Sequence, residues 1–574
     1  MFDAWNAFNP GRENYLLGNE LNDFSCLLED FPLPEGVHIA REEAISFAMY
    51  RIIRHRFRAS PGRTEIWASA DELMNELGFN SGNTSLSYSG GSSAALGNYI
   101  AQCYIDYGLQ DGSNEVNDYA NRSYAPVNPV IEPAVPGNPT VVDPDRWQAI
   151  SLDEFVDQAG NPISAEPEFL SPEWGRVAPF ALTDADRTTF SRNFFDYPVY
   201  FDPGTPPLLS GDNAADYQWN FALVLVWSSH LAPESAISVD ISPVGFGNSN
   251  LAELPTSFDQ YSSYYNFFRG GDTGAGRETN PITNLPYEPQ LVPLGDFSRV
   301  LAEYWADGPD SETPPGHWFV LLNEVMQQPT FERRWFGSGA ELGPLEYDVK
   351  AYLALGGAMH DAAIAAWSSK GWYDLTRPLS AIRAMADLGQ SSDPDLPSYH
   401  PDGLPLFDGY IELVAEGDPL AGPSNEHVDK IKVFAWRGPG FISDPTTDVA
   451  GVGWILAENW WPYQRPTFVT PPFAGYVSGH STFSRAAAEV LTSITGSEFF
   501  PGGLFRVPIA ANDFLVFEQG PSQDLELQWA TYRDASDQSS LSRIWGVFIH
   551  LLTTYLEEGS GSKWGKMRRD LLMH

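Results

Sequence analysis

The stretch GPLEYDVKAYLALGGAMHDAAIAAWSS, residues 343–369, constrains the fold more than any other feature. It is rich in Ala and Leu, residues with strong helix propensity. Helical spacing recurs elsewhere: Ile45, Ala48, Met49 and Ile52 share one face of a helix predicted over residues 38–56. Further helices are predicted over 93–107, 216–229, 296–306, 426–436, 445–459, 480–496 and 541–557. The segment DGPDSETPPGHW, residues 307–318, breaks helix, which resumes at FVLLNEVMQQ. Strand-like alternation is scarce. Residues 110–147, rich in Asn, Pro, Asp and Gly, read as a long loop. With 18 Trp and 25 Tyr available as anchors, such loops are expected to be ordered. The expected fold is therefore mainly α, a large helical protein with helices packed around a central bundle and long ordered loops. Residues 1–296 are expected to form a helical, loop-rich region packed on a bundle formed by residues 297–574, in two parts or one continuous domain.

The chain of 574 residues is 43% apolar, ample for a large core. Its net charge of -42 disfavours nucleic acid and anionic membranes as partners. No apolar run is long enough to span a bilayer; FALVLVW at 221–227 is too short. The N-terminus lacks the basic start and apolar core of a signal peptide. A soluble protein is expected, cytoplasmic or exported. Two cysteines, Cys26 and Cys103, offer one bridge or two buried thiols, and no zinc-type spacing. Acidic loops lack EF-hand spacing.

Against this acidic background, clustered basic residues are informative. In AWSSKGWYDLTRPLSAIR, residues 366–383, Trp367 lies one helical turn before Lys370. Pro378 disfavours helix at Arg377, so that cation should sit at a break. In TPPFAGYVSGHSTFSRAAAEVL, residues 470–491, Ser478, Gly479 and His480 stand where an Ala-rich helix begins. Free N–H groups and the helix dipole favour an anion there. In DASDQSSLSRIWGVFIHLLTTYLEEG, residues 534–559, Arg543 and His550 are about two helical turns apart. Each segment alone has an ordinary reading: solvated surface cations, a plain N-cap, a core histidine. Together they offer three cations, a hydroxyl, a glycine N–H and two histidines, an inventory that suits an oxyanion with several terminal oxygens.

These segments resemble the vanadium-dependent haloperoxidases, which share their core with type 2 phosphatidic acid phosphatases. The family's lysine, six residues, Arg-Pro is matched by Lys370, Arg377 and Pro378, within a wider string DAAIAAW…K…YD…RP…AIR. Its Pro-Ser-Gly-His reads Val477-Ser478-Gly479-His480 here. WADGP…TPPGHW, residues 305–318, resembles the region ahead of the active helices in bacterial members. The third pattern departs: six residues rather than five separate Arg543 from His550, and Thr554 replaces an acid. The resemblance runs from about residue 297 to 550.

The resemblance implies a haloperoxidase/acid-phosphatase-like bundle with vanadate as cofactor, a site that phosphate can also occupy. It implies that His550 ligates vanadium and that Lys370, Arg377, Ser478, Gly479 and Arg543 hold the oxygens. His480 would be the acid–base catalyst, with Lys370 polarising peroxide. Trp367 and Phe473 match positions bordering the halide site. The implied activity is oxidation of chloride, bromide or iodide by hydrogen peroxide to a hypohalous-acid-like species. The implied partners are peroxide, a halide and a small organic acceptor, with homo-oligomer formation left open. The alternative is a phosphomonoester hydrolase in which His550 attacks phosphorus. A more remote one is a non-catalytic oxyanion-binding descendant.

Overall fold

Most of the helices predicted from apolar spacing form, and others form where none was predicted, as at Arg63–Glu76 and Pro378–Leu388. The computed structural model describes residues 1–546 apart from 10, 12, 157–161, 164–167, 251–259, 261–264, 266–272 and 307–311. The main helices are α1 (Val37–Arg56), α2 (Arg63–Glu76), α3 (Ser93–Gly108), α4 (Ala214–Ser228) and α5 (Leu294–Tyr304). They continue with α6 (Pro314–Gln327), α7 (Pro344–Tyr373), α8 (Pro378–Leu388), α9 (Gly479–Thr495) and α10 (Tyr532–Trp545). The expected mainly α fold is the one observed. Among the described residues, no helix is long and apolar enough to cross a membrane.

Three expectations need correction. Residues 426–436 and 445–459 do not form helices. They contribute the strands β4 (Ile431–Trp436) and β5 (Val452–Leu456) to a three-stranded antiparallel sheet with β3 (Ile411–Leu413). Val433, Ala435 and Trp436 are buried against α4, and β-branched and aromatic residues on a half-buried pleated surface favour strand over helix. Helix α6 begins at Pro314, inside the segment expected to break helix. Pro has no N–H to lose at a first turn, and Thr313 caps it by accepting from the Gly316 N–H at 3.3 Å. The strand pairs that went unpredicted also include β1 (Arg187–Arg192) with β2 (Phe195–Tyr200), and β6 (Phe505–Ile509) with β7 (Leu525–Trp529).

The chain forms two compact units. The first comprises the described residues of Met1–Arg122, Arg176–Phe180 and Arg333–Gly357. Here α1 and α3 touch at Gly97, where a Cβ would lie 2.3 Å from the Ala44 carbonyl oxygen, so only glycine fits. Ala44, Ala48, Leu96 and Ile100 form the core beside them. Cys26 and Cys103 are joined by a disulfide that closes a separation of 77 residues, so the alternative of two free thiols does not hold. Closing so long a loop restricts the unfolded chain. Reduction, or Cys103→Ala, is expected to cost about 4 kcal/mol of stability in this unit. Thermal unfolding with and without dithiothreitol would check this; an unchanged midpoint would refute it.

The second unit comprises the described residues of Ser123–Gly175, Ala181–Glu332 and from Ala358 onward. The apolar run Phe221–Val226 of α4 is buried on all sides, packed on Leu379, Ile382 and Met385 of α8 and on the β3–β5 sheet. Helices α9 and α10 meet through small and polar residues. Ser484 Oγ donates to Ser539 Oγ at 2.8 Å, and Arg485 pairs with Asp537 at 2.7 Å. Glu303, near the end of α5, accepts from the Tyr463 hydroxyl and the Val516 and Phe517 N–H groups. Burial nevertheless pushes its carboxyl from 4.5 up to about 7. A raised carboxyl pKa contributes stability that is fully present below the unfolded value and is lost as pH rises through about 7. Glu303→Gln should therefore gain relative to the wild type between about pH 5 and 8, by up to about 3 kcal/mol. The cost of its altered hydrogen bonds does not depend on pH. A difference in unfolding free energy that stays flat across that range would refute the assignment.

Candidate oxyanion site

The turn between α7 and α8 presents two cations. Lys370 lies in the last turn of α7, where the helix dipole favours positive charge, and it is fully buried. Asp374 ends the helix in the left-handed region, φ 52°, which Asp tolerates. Its buried carboxylate accepts from the Tyr124 hydroxyl at 2.8 Å, and burial pushes it up to about 7. Arg377 is then the extended N-cap of α8 (φ −108°, ψ 159°) with Pro378 at the first helical position, as the Arg-Pro step predicts.

The loop before α9 receives both cations. Lys370 Nζ donates to the Ala474 carbonyl at 3.0 Å, and Arg377 Nε donates to that of Phe473. The Phe473 ring lies 4.7 Å from Arg377 Cζ and 5.0 Å from Lys370 Nζ, so one aromatic ring serves two cations. Trp367 packs edge-on against it at 4.9 Å. Ser478 is the N-cap of α9, its Oγ accepting from the Ser481 N–H at 3.2 Å. At Gly479 a Cβ would lie 3.2 Å from the Trp367 ring, closer than is comfortable. Glycine here lets the tryptophan lie against the helix start.

His480 and Arg543 meet on α9 and α10. Arg543 Nη1 donates to the Trp305 carbonyl at 2.6 Å and lies 2.7 Å from His480 Nε2. The same ring nitrogen is 2.7 Å from the Trp305 oxygen. A guanidinium can only donate and a carbonyl can only accept, so His480 Nε2 faces both kinds of partner. Burial, then the Arg543 charge, hold the His480 pKa well below the usual imidazole range. The neutral ring is the state this favours.

Arg377, Gly479, His480, Arg543, Trp367 and Phe473 all line one cavity of about 420 Å³. Lys370 and Ser478 are not on its wall; Lys370 reaches the face of Phe473 and Ser478 caps α9. His550 lies outside the described residues, as does the end of the helix expected over 541–557. Sequence reasoning missed the carbonyls of Trp305, Phe473 and Ala474, because backbone acceptors leave no residue-type signature. It also missed the loop containing Leu170 and Trp174, which forms another wall. Among the described residues, no cluster of three His, Cys, Asp or Glu side chains could hold a metal cation. Buried cations, a helix N-terminus and a hydroxyl instead suit a multiply charged oxyanion.

Residues 350–553 match the family model of the VCPO second helical-bundle domain. The whole chain aligns with the apo-type bacterial vanadium-dependent chloroperoxidase structure at 16% identity, covering 90% of that chain, with a TM-score of 0.60. It aligns with the holo-type structure at 17% identity, covering 89%, again with a TM-score of 0.60. At identities this low the likeness shows the fold alone, a mainly α-helical bundle like that of these two structures. No curated protein sequence matches the chain.

Proposed function

From the homology of residues 350–553 to the vanadium-dependent haloperoxidases, we propose that this chain is a vanadate-dependent haloperoxidase. It uses hydrogen peroxide to convert a halide into a hypohalous acid. The observation that carries this reading is the convergence of Arg377, His480 and Arg543, from three separate helices, on one cavity beside Trp367 and Phe473.

Bound vanadate supplies a Lewis acid that activates peroxide toward halide. Arg377 and Arg543 on the cavity wall would balance the charge of its oxygens with Lys370 just behind Phe473, and the Gly479 N–H and the Ser478 hydroxyl would be further donors. His550 would be the nitrogen ligand in this proposal. Halide, peroxide and one proton give hypohalous acid and water, so each turnover takes up a proton. His480 is placed to deliver it. Neutral in the cation-rich pocket, its ring gains proton affinity when an anion arrives beside it. Trp367 and Phe473 border the halide and keep water from it.

Triiodide formation from iodide and peroxide tests this reading, because it needs no organic acceptor. The rate should saturate as vanadate is added to vanadate-free protein. Phosphate is nearly isosteric with vanadate. Hydrolysis of p-nitrophenyl phosphate by the vanadate-free protein, without vanadate-dependent iodide oxidation, would make the chain a phosphatase instead.

A further inference from the structure

Resting on that reading, we propose that Asp374 is a positioning residue of the site. Through its hydrogen bond from Tyr124 it holds the turn from which Lys370 and Arg377 reach the loop before α9. Asp374 stands four residues after Lys370 and three before Arg377, so a change in its backbone angles redirects one cation relative to the other.

The end of α7 is fastened from outside on successive carbonyls. Arg192, the last residue of β1, donates from Nη2 to the Gly371 carbonyl at 2.8 Å and from Nη1 to that of Trp372 at 3.2 Å. Arg146 Nη1 donates to the Tyr373 carbonyl at 3.2 Å. Cations suit a helix C-terminus, where they meet both unpaired carbonyls and the negative end of the dipole. The Phe190 ring of β1 stacks on Trp372 at 4.6 Å and braces the same contact. Past the helix, the Trp147 N–H donates to the Asp374 carbonyl at 2.7 Å and the Thr376 N–H to that of Asp145 at 3.0 Å. On the other side of the turn, the Gly475 N–H donates to the Leu375 carbonyl at 2.9 Å, beside the bonds from Lys370 and Arg377 to Ala474 and Phe473. The turn is thus gripped between two segments, and one of them carries the acceptors of both cations.

Within this turn Asp374 has the backbone conformation that depends most on its residue type. Its φ of 52° is one that Asp and Asn enter more readily than other side chains. Its carboxyl is buried, and the Tyr124 hydroxyl that donates to it is itself held in place, the Tyr124 ring packing on Phe169 at 4.6 Å. Both rings belong to the apolar cluster that includes Trp147 and Phe473. One cluster therefore holds the Asp374 side chain at one end and, at the Phe473 ring, both cations at the other. Burial pushes the Asp374 carboxyl up to about 7 despite the Tyr124 hydrogen bond and the Arg192 and Arg146 charges. It is thus easily neutral, and acts as a hydrogen-bond acceptor more than as a counter-charge. Asparagine keeps the acceptor oxygen and the tolerance of positive φ.

Calorimetric titration of the vanadate-free protein with vanadate tests this. Tyr124→Phe removes one hydroxyl and should weaken binding by about three- to tenfold, the usual worth of one hydrogen bond. Asp374→Ala removes the acceptor and the tolerance of positive φ together, and should weaken it by about tenfold or more. Asp374→Asn should rescue binding to within about twofold of the wild type. Because the effect passes through Arg377, Tyr124→Phe should weaken binding less in an Arg377→Lys background than in the wild type. A general loss of stability would not produce that non-additivity. If Asp374→Ala does not fold, Tyr124→Phe and its combination with Arg377→Lys still decide. Wild-type affinity in Tyr124→Phe, no rescue by asparagine, or strictly additive losses would overturn the proposal while triiodide formation still stood. A wild type that neither binds vanadate nor forms triiodide would overturn the haloperoxidase reading, and this proposal with it.

Discussion

Arg377→Ala is expected to abolish retention of vanadate and to lower peroxide-dependent iodide oxidation by about 10²–10³-fold, the usual worth of one preorganised donor to developing charge. The side chain is 2% exposed, lines the cavity, and donates through Nε to the Phe473 carbonyl. It thus presents charge to the cavity and fastens the loop before α9. Alanine removes both. Arg377→Lys separates them, since lysine keeps the charge but lacks the planar fork that can hold a carbonyl and an oxyanion together. The lysine variant should bind vanadate weakly and recover only part of the rate. Vanadate that binds only the folded state raises the wild-type melting temperature by mass action, and the alanine variant should lose that shift. Undiminished stabilisation by vanadate in Arg377→Ala would remove this residue from the proposed cradle.

His480→Ala should behave differently. Vanadate should stay bound, because the charge-bearing groups Lys370, Arg377 and Arg543 are intact, while turnover per bound vanadate falls by about 10²-fold or more. The ring is 7% exposed, its Nε2 lies 2.7 Å from Arg543, and its pKa is held well below the ordinary value by burial and that charge. A group in that state accepts a proton readily only when negative charge is nearby. The wild type should therefore lose activity with rising pH once the loaded site can no longer keep His480 protonated, and His480→Ala should lack that limb. Loss of vanadate with unchanged turnover per bound ion would make His480 a structural support for Arg543.

The parts of this site that were legible share a physical origin. Arg377 before Pro378 and Ser478-Gly479-His480 before an Ala-rich run are local rules, set by sterics and by unpaired helix N–H groups. The structure places both at helix starts, as those rules require. The errors occurred where tertiary packing decides. The stretch IKVFAW pairs with VGWIL as a strand because a sheet partner and α4 lie beside it, and nothing within the segment says so. The contact between Arg543 and His480 was equally hidden. Their meeting point is the carbonyl of Trp305, which any residue type would supply.

That meeting point bears on how the pocket comes to be formed. Trp305, Lys370, His480 and Arg543 are widely separated along the chain, yet contacts between their segments define the pocket. Local helices can nucleate early, whereas each such long-range closure must first overcome chain entropy. The same closures gather positive charges into a space of low polarity, where they repel until an anion joins them. The proposed anion site therefore depends on closures between distant segments, which on entropic grounds are slower to form than the local helices that carry its residues.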